Sequence, residues 1–383
     1  MLESVLVYFF LYFVMALCGR LKADKSDKYI GESGEYPEEN RFFSPEMVVL
    51  VLSFTFIFGC RWGVGRDYYR YLEAYTYGTY ERYEYLFRSI IVILKRANVH
   101  FSVYFGIWAF LDVFLLYYAF RNYKFVFPYI AFFLIFGSHY LNMMNAIRQG
   151  ISALFFLVSI SYIDNKRPIA FVLCTIVAVL FHRLALILFV FYPLLRLSDD
   201  WFKSIGLQLV IYFIAVFFYF NGEYVLEWIE APFEWLSGLL EYDDYYDYED
   251  LTSDRFDRSQ FGRNTGLGIW INMFRTIPII LLSKNLKAYY NSSHFNMLYT
   301  LYFIGVLCAL VFGKSVILNR ITYYFDFFQI IIYSLFVYYC FDTKKAQYQV
   351  LGLLLMLLYI LLFFNTISNP STLSQYLFFW QRY

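Results

Sequence analysis

The chain has 383 residues, of which 61% are hydrophobic and 24% aromatic, whereas only 16% are charged. Because a soluble domain carries about 25% charged residues, this composition excludes a protein dissolved mainly in water and predicts an all-α polytopic membrane protein. The formal net charge of +1 indicates no class of partner by itself, and no nucleic-acid partner is predicted.

Apolar windows long enough to cross a membrane recur along almost the whole chain. A spanning helix needs roughly 20 predominantly apolar residues, and about twelve candidate windows are present. The first window has no positively charged segment before it and no small-residue cleavage site after it, so we expect a retained span rather than a signal peptide. No room remains for a large soluble domain, and residues 1–383 are predicted to form a single membrane domain. The predicted spans are 2–19, 46–60, 101–120, 125–141, 146–163, 168–181, 184–197, 202–220, 265–282, 295–312, 320–341 and 347–365.

Lysines and arginines near the span ends predict the topology, because short cytoplasmic loops carry an excess of positive charge. Every second loop is basic, which places both termini outside. This arrangement requires that segment 84–96 does not cross the membrane, since a crossing would move Arg121 and Lys166 to the outer side. The segment is short and carries several charges, so we predict a re-entrant or interfacial helix. The basic loops are 20–28, 121–124, 166–167, 196–203, 284–287 and 344–345.

One long loop, residues 221–264, falls on the predicted outer side. Its first part, residues 224–240, is rich in tryptophan and amphipathic, which predicts a helix that lies on the membrane interface. The remainder is acidic and rich in tyrosine. It suits binding of a divalent cation or of sugar hydroxyls, but an acidic run is more often a solvated loop with no ligand.

Arginines in apolar surroundings collect on the predicted outer side, against the positive-inside rule. An arginine within the membrane costs roughly 2.5 to 3.5 kcal/mol on insertion scales, so several on one side imply a negative partner. Guanidinium forms two parallel hydrogen bonds to phosphate and stays charged when desolvated. We therefore predict binding of an anionic, phosphate-bearing lipid head group, although each arginine alone also fits snorkelling at a span end. The outer polar residues are Arg61, Arg66, Asp67, Arg70, Arg148, Gln149, His182, Arg183 and Arg320.

Three ionisable residues lie deeper in the predicted spans, namely Asp112, Arg275 and Asp326. An unpaired charge at that depth is unfavourable, so we expect Asp112 or Asp326 to pair with Arg275. Near the outer side, Gly63 and Gly65 permit either a close approach of the backbone or an ordinary turn.

Cysteine and histidine spacing predicts neither disulfides nor a metal site. The five cysteines are odd in number, widely scattered and embedded in apolar runs. His100, His139 and His294 are isolated in sequence. No metal and no other cofactor is therefore expected.

Four motifs taken together resemble the EpsG/Wzy-type family of polysaccharide polymerases, and the resemblance covers most of the chain. They are R-W-G-V-G-R-D-Y-Y-R-Y at 61–71 followed by Glu84-Tyr85-Leu86, I-R-Q-G at 147–150, F-H-R-L-A-L at 181–186, and N-R-I-T-Y-Y-F at 319–325. Two positions depart from the family pattern. Arg66 stands where a threonine often precedes the aspartate, and Arg183 stands where a small residue commonly follows the histidine. Both departures add positive charge, so these two arginines either belong to the shared machinery or adapt this chain to its own substrate.

The resemblance implies a GT-C-like membrane glycosyltransferase in the bacterial plasma (inner) membrane, with its active site facing the periplasm or the outside. Such an enzyme extends capsule, exopolysaccharide or O-antigen chains by transferring a growing glycan from undecaprenyl diphosphate onto an incoming lipid-linked repeat unit. Topology supports a lipid-linked donor independently, because nucleotide sugars are not available outside the cytoplasmic membrane. The implied partners are the undecaprenyl-diphosphate-linked oligosaccharide, membrane lipids, a chain-length regulator and a flippase.

Residue roles follow from this interpretation. Binding of the diphosphate and stabilisation of the leaving group are predicted for Arg61, Arg66, Arg148, Gln149, Arg183 and Arg320. The candidates for a general base are, in order of preference, Asp67, Glu84 and His182. Stacking on sugar rings, or packing at the membrane interface, is predicted for Tyr68, Tyr69, Tyr323 and Tyr324.

Two other functions remain open. A lipid-linked oligosaccharide ligase would share the arginines and differ only in its product, a single transfer instead of a ladder of repeat lengths. A flippase or anion carrier predicts broken helices in repeated halves and charges at mid-membrane. Most of the charges lie at one face, which favours chemistry over transport.

Overall fold

The computed structural model describes residues 1–33, 42–221, 266–313, 315 and 318–382. Within these residues the regular elements are helices, and the one β contact is an isolated antiparallel bridge between Arg61 and Phe378. The all-α prediction is therefore confirmed for the described part of the chain. Short 3₁₀ helices cover Lys124–Val126, Arg183–Val190, Pro370–Thr372 and Phe379–Arg382. The α-helices of the described ranges are α1 (Leu2–Ser33), α2 (Pro45–Gly59), α3 (Tyr68–Tyr77), α4 (Tyr85–Arg96), α5 (Phe101–Ala119), α6 (Phe127–Phe136), α7 (His139–Asn145), α8 (Ile147–Asp164), α9 (Pro168–Phe181), α10 (Phe191–Leu197), α11 (Ile205–Asn221), α12 (Leu267–Leu281), α13 (Ser283–Tyr290), α14 (Ser293–Phe312), α15 (Asn319–Tyr323), α16 (Asp326–Asp342) and α17 (Ala346–Ser368).

Five helices of the described ranges are long and apolar enough to cross a membrane, and the number rises to seven if two bent pairs each count as one span. The bent pairs join α6 to α7 at 65° and α12 to α13 at 55°. Three further apolar helices, α2, α9 and α11, are shorter. The predicted total of about twelve spans and the GT-C-like arrangement stay predictions. The five long spans are Leu2–Asp24, Phe101–Ala119, Ile147–Asp164, Ser293–Phe312 and Ala346–Ser368.

Helix boundaries differ from the predicted spans at three places. Helix α1 continues to Ser33, through the loop predicted at 20–28. The window 184–197 begins as a 3₁₀ helix and becomes the short α10, and the window 320–341 is divided between α15 and α16. In each case apolar content alone marked the segment, whereas the local backbone sets where a helix begins, bends or ends.

Helix α8 lies at the centre of the bundle. In its most apolar window 78% of the residues are buried, compared with 28% in α17 and 33% in α1. It packs against α5 on one side and against α9 on the other, while α2 packs between α1 and α5. A central α8 brings the residues at its first turn, Arg148 and Gln149, close to several other helices.

Helices α3 and α4 begin and end at the same end of the bundle. The last residue of α2, Gly59, packs directly against Gly106 of α5, where an added Cβ would lie 3.0 Å from the Gly106 Cα. The hydroxyl of Tyr75 on α3 donates to the carbonyl of Val99, just before α5. The chain between Gly59 and Phe101 therefore makes no net crossing of the bundle. The position of segment 84–96 relative to a bilayer stays a prediction.

Loops predicted to be cytoplasmic meet at the opposite end. The Nζ of Lys287 lies 2.8 Å from Oδ1 of Asp200, and the Tyr123 hydroxyl lies 3.1 Å from Nδ1 of His294. Following the predicted topology, we call this the cytoplasmic end and the other the outer end. The long outer loop and its predicted amphipathic helix, residues 221–264, lie outside the described residues except for Asn221.

Candidate functional site

A polar cavity of about 80 Å³ opens at the outer end of the bundle. Four separate stretches of the chain contribute to its lining: the start of α3 with the turn before α4, the start of α8, the end of α9, and α15. Five of the residues that were assigned a role from the sequence meet there. The lining consists of Asp67, Arg70, Tyr71, Tyr83, Ala146, Arg148, Gln149, His182 and Arg320.

The loop between α2 and α3 presents Asp67 to this cavity. Gly63 and Gly65 have φ angles of 68° and 98°, in the left-handed region that favours glycine. The backbone N–H of Arg66 donates to Oδ1 of Asn145 at 2.7 Å, and a Cβ at Gly65 would lie 2.6 Å from the same oxygen. The close backbone approach predicted for the glycines is thus present, and it fixes the direction of Asp67.

The C-terminal segment holds the other side of this loop. The N–H of Trp62 donates to the carbonyl of Leu377 at 2.8 Å, and the N–H of Gly65 donates to the carbonyl of Leu373 at 2.9 Å. Hydrogen bonds between residues more than 300 positions apart in sequence therefore hold the backbone of this loop. No short-range sequence signal marks this contact.

Arg61 lies beneath the loop and does not line the cavity. Its side chain is fully buried, with Nη1 donating to the Phe58 carbonyl at 2.6 Å and Nε donating to the Val64 carbonyl at 3.3 Å. Its guanidinium carbon lies 4.5 Å from the centre of the Phe105 ring. Backbone carbonyls thus accept from two of its nitrogens, and Nη2 is buried without a hydrogen-bond partner in the described part of the chain, so the position of Arg61 favours a role in holding the loop.

Tyr68 and Tyr324 are also buried, so neither exposes a ring to a sugar. Tyr68 stacks on Phe105 with ring centres 4.7 Å apart. Tyr324 reaches the site through its hydroxyl, which lies 2.6 Å from Nδ1 of His182. The positions of both tyrosines favour supporting roles over the predicted stacking on substrate.

Arg148 forms an ion pair with Glu84 at the wall of the cavity. Its guanidinium carbon also lies 4.7 Å from the centre of the Tyr83 ring. Glu84 is 3% exposed and immediately precedes α4. A buried carboxylate beside a guanidinium compensates its charge, so the position of Glu84 favours the role of counter-ion to Arg148 over that of a general base.

His182 connects the end of α9 to the segment after α15 through its bond to Tyr324. Burial lowers the pKa of His182 well below its usual value, and the positive charges of Arg148 and Arg320 lower it further. Gln149 ties the same region together, because its side-chain amide donates to the backbone carbonyl of Arg320. His182 is therefore neutral near pH 7, with one ring nitrogen held by Tyr324.

Asp67 is the carboxyl group that lines the cavity among the described residues. Burial raises its pKa, whereas four arginines, Arg70, Arg148, Arg66 and Arg320, act in the opposite direction. A partly buried carboxylate among several guanidinium groups is the arrangement expected of a group that accepts a proton beside a bound anion.

The two arginines that depart from the family pattern do not line the cavity. Arg66 is exposed and follows the glycine loop, at the rim beside Asp67. Arg183 is half-buried and begins the 3₁₀ helix that follows His182. The structure thus brings Asp67, Arg148, Gln149, His182 and Arg320 together, places Arg66 at the rim, and leaves Arg61, Arg183, Tyr68 and Tyr324 outside.

Three lining residues, Tyr71, Tyr83 and Ala146, were not predicted, and Arg70 was not assigned a role. Arg70 and Tyr71 follow Asp67 by three and four positions, the spacing that places side chains on one face of a helix. An amphipathic helix that starts at Asp67 would place both side chains on the same face as Asp67. Tyr83 has no comparable signal beyond its position next to Glu84.

The deeper charged residues have few direct partners. Asp326 accepts a hydrogen bond from Nδ2 of Asn142 at 3.2 Å. Within the ranges that the structure describes, both carboxylate oxygens of Asp112 are buried without a hydrogen-bond partner. The expected pairing of Arg275 with Asp112 or Asp326 stays a prediction. Among the described residues no group of three or more histidine, cysteine, aspartate or glutamate side chains is placed to hold a metal ion.

Comparison with known proteins gives one match. A protein-family model described as "EpsG family" matches residues 47–379, a range that contains every residue of the cavity. Neither the curated proteins nor the solved structures contain a match to this chain.

Proposed function

The chain belongs to the EpsG family, and from this premise we propose that it is a polysaccharide polymerase of the Wzy type. In this proposal it transfers a growing glycan from undecaprenyl diphosphate onto an incoming lipid-linked oligosaccharide. Family membership supports a polymerase-type role in polysaccharide biosynthesis, and the apolar helices support a place in the membrane. The donor, the acceptor and the mechanism are our proposal.

The observation that carries the proposal is the composition of the outer cavity. Three arginines, an aspartate and a neutral histidine meet in one space although they come from four distant stretches of sequence. Desolvated arginines at one end of a membrane bundle require negative charge nearby. Glu84 and Asp67 supply part of it, and a diphosphate group would supply the rest.

We assign binding of the donor's diphosphate to Arg70, Arg148 and Arg320, with Arg66 at the rim. The charge on the diphosphate increases as the bond between the anomeric carbon and the phosphate oxygen breaks. Guanidinium groups that are already oriented stabilise this charge without reorganising during the reaction. The Tyr83 ring and Glu84 hold the guanidinium of Arg148, and the Gln149 side chain fixes the backbone of Arg320, so these two positions are preorganised.

We assign the general base to Asp67. A hydroxyl of the acceptor sugar attacks the anomeric carbon of the donor, the new glycosidic bond forms, and the lipid diphosphate leaves. The hydroxyl proton passes to the Asp67 carboxylate, which lines the same cavity as the arginines. Neutral His182, oriented by Tyr324, can donate a hydrogen bond to the diphosphate or to a sugar hydroxyl.

The proposed site faces the outer side of a bacterial plasma membrane. There a chain-length regulator and a flippase would be functional partners, because one limits the polymer and the other delivers the lipid-linked repeat. O-antigen, capsule and exopolysaccharide are equally compatible with this site. The proposed contribution of the loop 221–264 to acceptor binding concerns residues outside the described ranges.

The test separates the charge of Arg148 from its structural pairing. We would complement a polymerase-null strain with wild type, Arg148→Ala, Glu84→Gln and the double variant, and compare polymer length on gels. Arg148→Ala alone leaves a buried carboxylate uncompensated, which costs about 3 to 5 kcal/mol, whereas the double variant removes both charges. If Arg148 binds the diphosphate, the single and the double variant both lose activity by about a hundredfold or more and accumulate single lipid-linked repeats.

Arg196→Ala is the matched control, since Arg196 is an exposed arginine on α10, in a loop predicted to be cytoplasmic. It should give the wild-type ladder. A normal ladder from the double variant, with normal expression, would show that the pair is only structural and remove the basis of the proposal. A single transferred unit would point to a ligase, and lipid-linked repeats retained on the cytoplasmic side would point to a flippase.

A further inference from the structure

Helix α1 carries two polar side chains that are buried in the bundle. Ser4 and Tyr8 are four positions apart, which places them one above the other on the same side of the helix. They are 2% and 0% exposed, although most of the residues around them in sequence are apolar. Helix α1 also lies outside the residues 47–379 that the family model matches, so family membership assigns these two side chains no role.

The C-terminal end of the chain runs alongside them in an extended form. We call residues 373–379 the strap, which leads from the end of one 3₁₀ helix to the start of the next. Its side chains alternate between exposed and buried positions, with Ser374 and Tyr376 buried. Because the strap forms no helix before Phe379, its buried backbone groups need partners from other parts of the chain.

Two of these partners belong to α1. The Tyr8 hydroxyl donates to the carbonyl of Ser374 at 2.8 Å, and the N–H of Tyr376 donates to Oγ of Ser4 at 2.9 Å. The Tyr376 hydroxyl donates in turn to the carbonyl of Ile57 in α2 at 2.5 Å. A buried backbone group that loses its partner is unfavourable, so Ser4 and Tyr8 fix where the strap lies against α1.

Other backbone groups of the strap hold the loop between α2 and α3. Three hydrogen bonds of 2.8 to 3.0 Å join the two segments. The strap thus lies between α1 and the loop and bonds to both, and Asp67 follows the last bonded residue of the loop by two positions. The three bonds run from the N–H of Trp62 to the carbonyl of Leu377, from the N–H of Gly65 to the carbonyl of Leu373, and from the N–H of Phe379 to the carbonyl of Cys60.

We propose that Ser4 and Tyr8 are positioning residues for the reaction, because they hold the strap that holds the loop presenting Asp67. The inference rests on the proposed function, in which Asp67 is the general base. Arg148 and Arg320 belong to α8 and α15 and take no part in this set of bonds. Loss of either hydroxyl group from α1 therefore slows the chemical step and leaves binding of the donor unchanged.

The first test measures the loop directly and does not depend on activity. We would prepare Tyr8→Phe and Ser4→Ala of the full-length chain in nanodiscs and measure amide hydrogen exchange over residues 60–66. Two amides in this range, those of Trp62 and Gly65, donate to the strap. If the α1 hydroxyls hold the strap, exchange of these amides becomes about tenfold faster in both variants, because the loop opens more often.

Tyr12→Phe is the matched control, since it also removes one phenolic hydroxyl from α1. Tyr12 lies one turn beyond Tyr8, and its ring packs on Phe132 and Phe136 of α6. Exchange over residues 60–66 should keep the wild-type rate in this variant.

The second test measures polymerisation by the same three variants, with lipid-linked repeat units extracted from a polymerase-null strain as substrate. Tyr8→Phe and Ser4→Ala should lower kcat about tenfold and leave the KM for the repeat units within about twofold of wild type. Tyr12→Phe should change neither. A purely structural role would instead lower the amount of folded protein without slowing the protein that remains.

Two results would overturn the positioning role. One is wild-type exchange over residues 60–66 in both Tyr8→Phe and Ser4→Ala, and the other is faster exchange with an unchanged kcat. Absence of polymer from the wild-type chain would overturn the proposed function instead, whatever the exchange rates show about the strap.

Discussion

Arginines with similar sequence surroundings have different structural environments because their partners differ. Arg61 and Arg148 both lie at predicted span ends on the outer side. Arg61 is enclosed by carbonyls and aromatic rings, whereas Arg148 lines a cavity and faces Glu84. Arginine suits both arrangements, because the planar guanidinium stacks on aromatic rings and also forms paired hydrogen bonds to anions. The environment of each guanidinium thus favours loop support for Arg61 and places Arg148 at the cavity.

At the residue scale, Asp67 should control the pH dependence of polymerisation. Its protonated form cannot accept a proton, so the rate falls as pH decreases through its pKa. Burial raises this pKa, which places the acidic limb of the pH–rate profile above the value of about 4 for an ordinary aspartate. Initial rates in membranes measured against pH should show this limb, and Asp67→Asn should lose activity by at least about a hundredfold.

Arg70→Gln supplies the control for this assignment. Arg70 is the largest positive influence that opposes the raised pKa of Asp67, so its removal should move the acidic limb to higher pH. If the acidic limb of the pH–rate profile stays at the same pH in Arg70→Gln, the group that titrates is not Asp67.

At the scale of elements, breaks between helices position the residues of the site. The α6–α7 pair bends by 65°, with Ser138 in the left-handed region at φ 56°. The short α7 that follows carries Asn142, which binds Asp326, and Asn145, which binds the backbone of Arg66. Broken helices within membrane proteins are tolerated where other groups satisfy the freed backbone. Here they orient the residues of the cavity.

Gly65→Ala should disrupt the loop that presents Asp67. A φ of 98° strains any side chain, and the new Cβ would meet Asn145 at 2.6 Å. Strain of this kind costs about 1 to 3 kcal/mol, so we expect a lower thermal midpoint in detergent and shorter polymer. Gly268→Ala is the control, since Gly268 lies in α12 with nothing within 4 Å. Equal behaviour of the two variants would contradict the assigned geometry of the loop.

At the scale of the whole molecule, the bundle separates two chemically different ends. The cavity and the glycine loop lie at the outer end, while contacts such as Lys287 with Asp200 tie loops at the other end. Between them, Asp326 accepts a hydrogen bond from Asn142. The polar groups of the two ends are therefore held by different sets of contacts.

Cysteine accessibility tests the assignment of the ends. In a background without the five native cysteines, Glu73→Cys on α3 and Arg96→Cys at the end of α4 should react with an impermeant thiol reagent from the outside. Lys344→Cys should react only after permeabilisation. All three native residues are exposed. Labelling of Arg96→Cys from the cytoplasm alone would mean that segment 84–96 crosses the membrane.

The sequence alone determined the class of the protein, the positions of most helices and five residues of the cavity. Its low charge and long apolar windows require a helical membrane protein, because backbone groups in lipid must be satisfied within the chain. Motifs rich in arginine and histidine marked Asp67, Arg148, Gln149, His182 and Arg320, since charges are too costly in a membrane without a partner.

Tertiary structure alone decided which of the predicted residues share a space. Arg61, Tyr68 and Tyr324 have motif positions as prominent as Arg148, yet packing buries them. The contacts that settle this, from Leu373 and Leu377 to the glycine loop and from Asn145 to Arg66, join segments far apart in sequence. Periodicity and composition report only neighbours along the chain. Burial and partners depend on long-range packing, which local patterns do not encode.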